Sequence, residues 1–245
     1  TTVTTDVADK TITLDTLAST GAVLLTTSGT AGNVVIDNGT TALDLGASTI
    51  SGTLSATSGA AAGIVDSGNI AVSGDVTLTT DANNGVINLG TLQQSGGDLI
   101  LTTNGTGDAT VVNNAAIDLG ASNVGGALSA TASAGTITQN GGALTVAGTS
   151  AFTTSTADQA ITLSNTANAL TGAVSLTTSG TAGHVTIDNG TTALGVQGTV
   201  SGDFALTSGE AIIDSAALSV TGTTTVTTDM ADKTITLDTL ASTGA

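Results

Sequence analysis

The amino-acid sequence predicts an all-β chain wound as a parallel β-helix, and three observations carry that expectation. A six-residue motif recurs nine times: glycine, any residue, a usually apolar residue, any residue, an apolar residue, threonine. Inside each copy apolar and polar residues alternate with period two, the mark of a strand buried on one face. Between copies lie short runs bounded by Gly, Asn, Asp and Ser, which suit tight turns, and no helical periodicity appears.

The copies are GAVLLT (21–26), GTLSAT (52–57), GDVTLT (74–79), GDLILT (97–102), GALSAT (126–131), GTSAFT (148–153), GAVSLT (172–177), GDFALT (202–207) and GTTTVT (222–227). A second strand reads TITLD (11–15), NVVID (33–37), AITLS (160–164) or HVTID (184–188). A third reads NIAVSG (69–74), ALTVAG (143–148) or ALSVTG (217–222). Three short strands fit one coil, and self-similarity at so short a period is the signature of a solenoid. About ten coils are expected from the nine complete copies and two partial ones. The motif glycines keep a long, short, short rhythm. The steps from Gly21 to Gly52, Gly97 to Gly126 and Gly172 to Gly202 are long, and all the others, through Gly244, are short. Every third coil is therefore expected to be longer, with an extra segment near 45–50, 119–124 and 196–200. Leu25, Leu78, Leu101, Phe152, Leu176 and Leu206 are expected buried in one stacked column.

Larger repeats lie above these. Residues 1–22 return as residues 224–245, changed only from Val7 to Met230. Residues 21–43 match 172–194 at all but three positions. The chain reads as one β-solenoid segment, 1–245. It holds one 223-residue repeat (1–223) and the opening of the next (224–245), an organisation that points to tandem duplication in a longer parent.

Composition excludes several functions. Two Lys and no Arg stand against 18 Asp and one Glu, a net charge of −17. Nucleic acid and anionic membranes need clustered cations and are poor partners. No run of about 18 apolar residues exists to span a membrane. A disordered chain would lack apolar side chains, whereas this one is 39% hydrophobic with its apolar residues regularly placed.

The motif threonines read as an outward ladder of stacked β-branched side chains. An ice-binding face would need a second Thr column two residues earlier, where only Thr77 and Thr225 comply. An acidic row, Asp15, Asp37, Asp66, Asp188, Asp214 and Asp238, reads first as turn chemistry. Calcium bridging between these six carboxylates is the alternative, although the β-roll nonapeptide is absent; no other cofactor is expected. His184 replaces the Asn33 of the earlier copy and is expected on the surface. NGT occurs at Asn38, Asn104 and Asn189, where Asn-Gly is first a turn signal. No catalytic triad, His or Cys metal cluster or phosphate loop occurs, so an enzyme is not expected.

Strings such as GDVTLTT, GAVSLTT and GDLILTT with intervening TITLD resemble the β-strand repeats of giant bacterial surface adhesins of the filamentous-haemagglutinin type. The resemblance covers the chain and implies a right-handed β-helical shaft, exported to the bacterial cell surface and holding a binding tip outward. Its partners would be adjacent copies of the repeat, end to end. The alternative is a ligand-binding solenoid presenting a repeated outer face to ice, calcium or glycan.

Overall fold

Period-two strands separated by turn residues cannot bury their apolar faces alone, and here they do so by stacking. The computed structural model describes residues 1–244. It is all-β, without a helix among the described residues, and its parallel sheets stack as a β-solenoid of about 11 turns. The chain divides into two compact units, Thr1–Ala115 with Asn123–Gly126, and Ala116–Ser122 with Ala127–Ala245.

In the first unit one sheet runs through Thr2–Thr4, Leu24–Thr26, Ser48–Ile50, Ile70–Val72, Ile87–Gln94 and Ala109–Asn113, with Leu43–Leu45 and Ile64–Asp66 beside them. The other runs through Ile12–Leu14, Val34–Asp37, Leu54–Ser58, Val76–Asn83 and Leu99–Asn104. Its register stacks Ile12, Val34, Leu54, Val76 and Leu99, so one turn takes about 22 residues.

The second unit repeats the plan. One sheet holds Leu128–Ala132, Ser150–Thr154, Val174–Thr177, Leu194–Val200, Ile212–Val220 and Ile235–Thr236, with Leu240–Ser242 paired to Ile212–Val220. The other holds Ile137–Val146, Ile161–Leu163, Val185–Asp188, Phe204–Ser208 and Thr224–Thr228, stacking Ile137, Ile161, Val185, Phe204 and Thr224.

The alternation points the way the sequence says. Val76, Leu78 and Thr80 are buried while Thr77 and Thr79 are half-buried. Leu25, Leu78, Leu101, Phe152, Leu176 and Leu206 are all in the core. They do not form one column, however. Leu78 lies against Leu101 and Phe152 against Leu176, but Leu25 pairs Val3 and Leu206 pairs Ile187 and Val226.

The reason is that the motif changes sheet. In the first unit the copy at Gly21 lies on one sheet and those at Gly52, Gly74 and Gly97 on the other. In the second unit the strands of the copies at Gly126, Gly148 and Gly172 share one sheet, and those at Gly202 and Gly222 the other.

A long interval is thus about one and a half ordinary turns, and the expected longer coil with an extra segment is not present. Residues 45–50 instead complete a regular turn, with Leu45 and Ile50 in the core; Leu119, Val124, Val196 and Val200 are likewise buried. Strand geometry sets the length of a turn, so a long interval cannot close in one circuit and carries the motif half a turn further.

Where strands meet turns, buried amides fasten the corners. Asn38 is 0% exposed: its Nδ2 donates to the carbonyls of Ser19, Thr41 and Ala42 at 2.9, 3.2 and 2.7 Å, and its Oδ1 accepts from the Ser19 N–H at 2.8 Å. Asn189 does the same with Leu170, Thr192 and Ala193. Asn104, the third NGT asparagine, is exposed.

Asn38→Ala would leave those backbone groups buried without partners, each costing about 1–3 kcal/mol. Denaturant unfolding of Asn38→Ala and Asn189→Ala is expected to show losses of about 3 kcal/mol or more. Asn104→Ala should stay within about 0.5 kcal/mol, as exposed substitutions do. Equal losses at all three positions would contradict this account.

Candidate functional site

Side chains with chemistry are spread along the coils, and a recurring set of them bonds a backbone group of a neighbouring turn. Four non-glycine residues among the described ones have positive φ: Asp9 (60°), Asn84 (61°), Asp158 (63°) and Asp232 (62°). Asp and Asn tolerate this left-handed conformation best after glycine.

Each of the first three grips a Gly-Thr step one turn on. Asp9 Oδ1 accepts the N–H groups of Thr30 and Ala31 at 2.7 and 2.9 Å, while its own N–H donates to the Ser28 carbonyl at 2.9 Å. Asp158 Oδ1 accepts those of Thr181 and Ala182 at 2.6 and 2.8 Å, and its N–H donates to Ser179 at 2.8 Å. Asn84 Oδ1 accepts the Thr106 N–H at 2.8 Å and its Oγ1–H at 2.9 Å. The glycine of each clasped step is doubly required. Gly29 has φ +91°, and a Cβ there would collide with Asp9 Oδ1; Gly180 stands in the same relation to Asp158.

A second series sits where the chain enters the motif strand. Asn33 Oδ1 accepts the Thr53 N–H, Asp75 Oδ1 that of Asp98, and Asp203 Oδ1 that of Thr223, at 2.9, 2.9 and 2.8 Å. His184, the counterpart of Asn33, fills the same role: its Nδ1 accepts the Asp203 N–H at 2.9 Å. It is half-exposed at the surface, as expected, but it holds a structural bond there. Inside the coil, Thr27, Thr80, Thr103 and Thr178 donate Oγ1–H to the carbonyls of Gly32, Gly85, Gly107 and Gly183.

The six acidic residues singled out by sequence do not form one row. Asp15 and Asp37 lie at adjacent turns of one sheet of the first unit, and Asp66 belongs to the other. Asp37 and Asp188 each accept an N–H two residues on, from Gly39 and Gly190, the turn chemistry expected. Asp66 accepts from Gly90 N, Thr91 N and Thr91 Oγ1. Asp214 lies on the other sheet from Asp188, and next to Asp238; it accepts from Thr239 N and Oγ1. Burial works against its charge, but hydrogen bonds from Thr239 and Asp238 outweigh that and hold its carboxyl below the usual range.

No group of three or more His, Cys, Asp or Glu suited to a metal occurs among the described residues. The motif threonines face outward in several short ladders, such as Thr57–Thr79–Thr102 and Thr131–Thr153–Thr177.

The family model described as repeats of unknown function (DUF5649) matches residues 31–91, 106–177 and 182–243. The chain belongs to that family. Neither a curated protein nor a solved structure matches it. Each DUF5649 match begins at a clasped loop: Ala31 under Asp9, Thr106 under Asn84, Ala182 under Asp158. The left-handed clasp is therefore a once-per-repeat feature of this chain. Sequence reasoning passed over it, although the Gly-Thr steps at 29–30, 105–106 and 180–181 and the Asp in GDVTLT and GDFALT were visible signals.

Accepting two backbone N–H groups lowers the carboxyls of Asp9 and Asp158 below their ordinary range, the bonds to Thr30 and to Thr181 being the largest causes. A depressed folded value means that the stabilisation is complete above the unfolded value, about 3.9, and is lost as pH falls through the folded one. The urea midpoint is expected to hold between about pH 7 and 5 and to drop below about pH 4. Asp158→Asn keeps an acceptor, as Asn84 does naturally, so it should match the parent at pH 7 and lose less on acidification. An acid limb unchanged by Asp158→Asn would refute the clasp.

Proposed function

We propose that this DUF5649 chain is a structural shaft segment of a long extracellular repeat protein, an adhesin or surface fibre on a bacterial cell, and not an enzyme. One observation carries the reading. Outside the motif threonines, the Asp and Asn side chains at the turns, such as Asp9, Asn33, Asp75, Asn84, Asp158 and Asp203, are spent on backbone groups of adjacent turns, so this recurring chemistry serves stacking. A catalytic site needs titratable groups converging on one point and freed from such work. The adhesin-like repeat style of GDVTLTT and GAVSLTT supports the location.

Adjacent copies of the repeat, end to end, are its partners on this reading. The net charge of −17 keeps neighbouring shafts apart and argues against nucleic acid and anionic membranes. Calcium is assigned no dedicated site and acts by screening.

Antibodies raised against the whole chain are expected to label intact, unpermeabilised producing cells. Labelling that appears only after lysis would overturn the assignment to the surface.

Calcium is tested separately. Millimolar calcium and magnesium should raise the melting temperature alike and by only a few degrees. A large rise with micromolar calcium alone would favour a ligand-binding solenoid instead.

A further inference from the structure

In the first unit Asp9, Asn33, Asp75 and Asn84 are spent on holding the coil, but one stretch of outer face carries polar groups that are not. Gln93 and Gln94 show the contrast side by side. Gln94 is buried, and its Nε2 donates to the carbonyls of Gly74, Gly96 and Asp98, each at 3.1 Å. Gln93 points outward, in one column with Ala71 and Thr49 of the two preceding coils. Together with Ser73, Ser95 and Asn114 these residues line a groove of about 310 Å³. Thr49, Ser73, Ser95 and Asn114 are exposed, and Gln93 is half-buried. None of these five polar side chains makes a hydrogen bond among the described residues.

The groove is also a break in the repeat. The pairs that match Ala71–Gln93 in the other two repeats are Thr145–Ala169 and Ser219–Ala241. Of the three, this one alone sets a methyl beside an outward amide. No charged residue lines the groove, in a chain of net charge −17. We propose that it binds an uncharged polysaccharide, laid along the coil axis over Thr49, Ala71, Gln93 and Asn114. Amides and hydroxyls each offer a donor and an acceptor, as sugar hydroxyls do, so the two pair without a charge on either side. The volume lies at the lower end of ligand sites, about 300–1,000 Å³. Successive coils about 4.8 Å apart set the groups at regular intervals, an arrangement that a polymer of rings meets ring by ring. Ala71 supplies an apolar floor for the face of a ring. The field of the acidic chain rejects a polyanion.

This inference goes beyond the shaft reading and does not rest on it. The test titrates the isotope-labelled full chain with uncharged hexasaccharides of glucose, mannose and N-acetylglucosamine, followed by NMR. Saturable shifts of the Gln93 and Asn114 side-chain amide signals are expected with at least one of them. The dissociation constant should be about 1 mM, because an open groove with neutral hydrogen bonds binds weakly. Ala71→Leu fills the groove and should weaken binding about tenfold or more. Gln93→Ala combined with Asn114→Ala should weaken it about fivefold or more. Ala169→Leu adds the same bulk at an outward position of the second unit and should leave the affinity unchanged.

Ala71→Leu removes no hydrogen bond, and the dispersion of the same spectra shows that each variant folds. Absence of saturable shifts up to about 10 mM sugar overturns the proposal. So does binding indifferent to Ala71→Leu, or equal binding of a hexauronate or a Gly-Ser hexapeptide. None of these outcomes bears on the cell-surface labelling that tests the shaft reading.

Discussion

A parallel coil must hand every strand N–H and C=O to the turns on either side, about 22 residues away in sequence. Along the strands this is automatic once the register is set, because parallel ladders pair evenly. At the corners the ladder is incomplete, with single bonds such as Gly52 N–H to the Gly32 carbonyl, and a polar backbone group left there unpaired is expensive. The rest of the structure depends on how those corners are satisfied. Asn38 and Asn189 do it from inside; Asp9, Asn84 and Asp158 do it from outside, reaching one turn on. Thr27 and its equivalents close the corner on its own coil. This also rationalises the composition. The partners needed outside are acceptors for N–H groups, and an ionised carboxylate is a strong acceptor with no donor to place. Strong acidity follows from that use.

The fold was legible because period two is a local property. Val76 and Leu78 had to face one way and Thr79 the other whatever the coil did next. The path of the coil was less legible, for a physical reason. A motif strand such as Leu54–Ser58 presents the same alternation as Val34–Asp37, and the two stack in register although only the first carries the motif. Motif spacing therefore counts copies of a sequence, whereas the turn is set by geometry. Reading the first as the second produced the expected long coils. The clasps were hidden for a related reason. Asp9 and Asp15 look alike in sequence, but only Asp9 takes a positive φ and faces a Gly-Thr step one turn later. The acidic row failed as a row because adjacency in the alignment of repeats is not adjacency in space when the repeat changes sheet.

That change of sheet has a rule. The copies that open successive family-length repeats, at Gly21 and Gly97, lie on different sheets of the first unit. One such repeat is therefore about three and a half turns. Two make about seven, which returns a sequence to its own sheet; this accounts for the close match between residues 21–43 and 172–194. Selection for packing acts on like environments, and these two segments occupy like environments: Leu25 and Leu176 are buried in their strands, and Asn38 and Asn189 plug the same corner.

The 223-residue repeat behaves differently. In the first unit, Thr2–Thr4 pairs with the GAVLLT strand, and Ile12–Leu14 with the NVVID strand. In the second unit, the repeated Thr224–Thr228 belongs to the sheet of HVTID, through Phe204–Ser208. The repeated Ile235–Thr236 belongs to the sheet of GAVSLT, through Ile212–Val220 and Leu194–Val200. Near-identical residues have thus exchanged sheets, as three repeats of about three and a half turns require. The same segment must then be compatible with either sheet. Small and β-branched side chains meet that demand: Thr, Val, Ile and Ala fit either neighbour without a shape-specific partner, whereas an aromatic ring would fit one. The scarcity of aromatic residues, two Phe and neither Trp nor Tyr, is what a repeat out of phase with its own turn selects for.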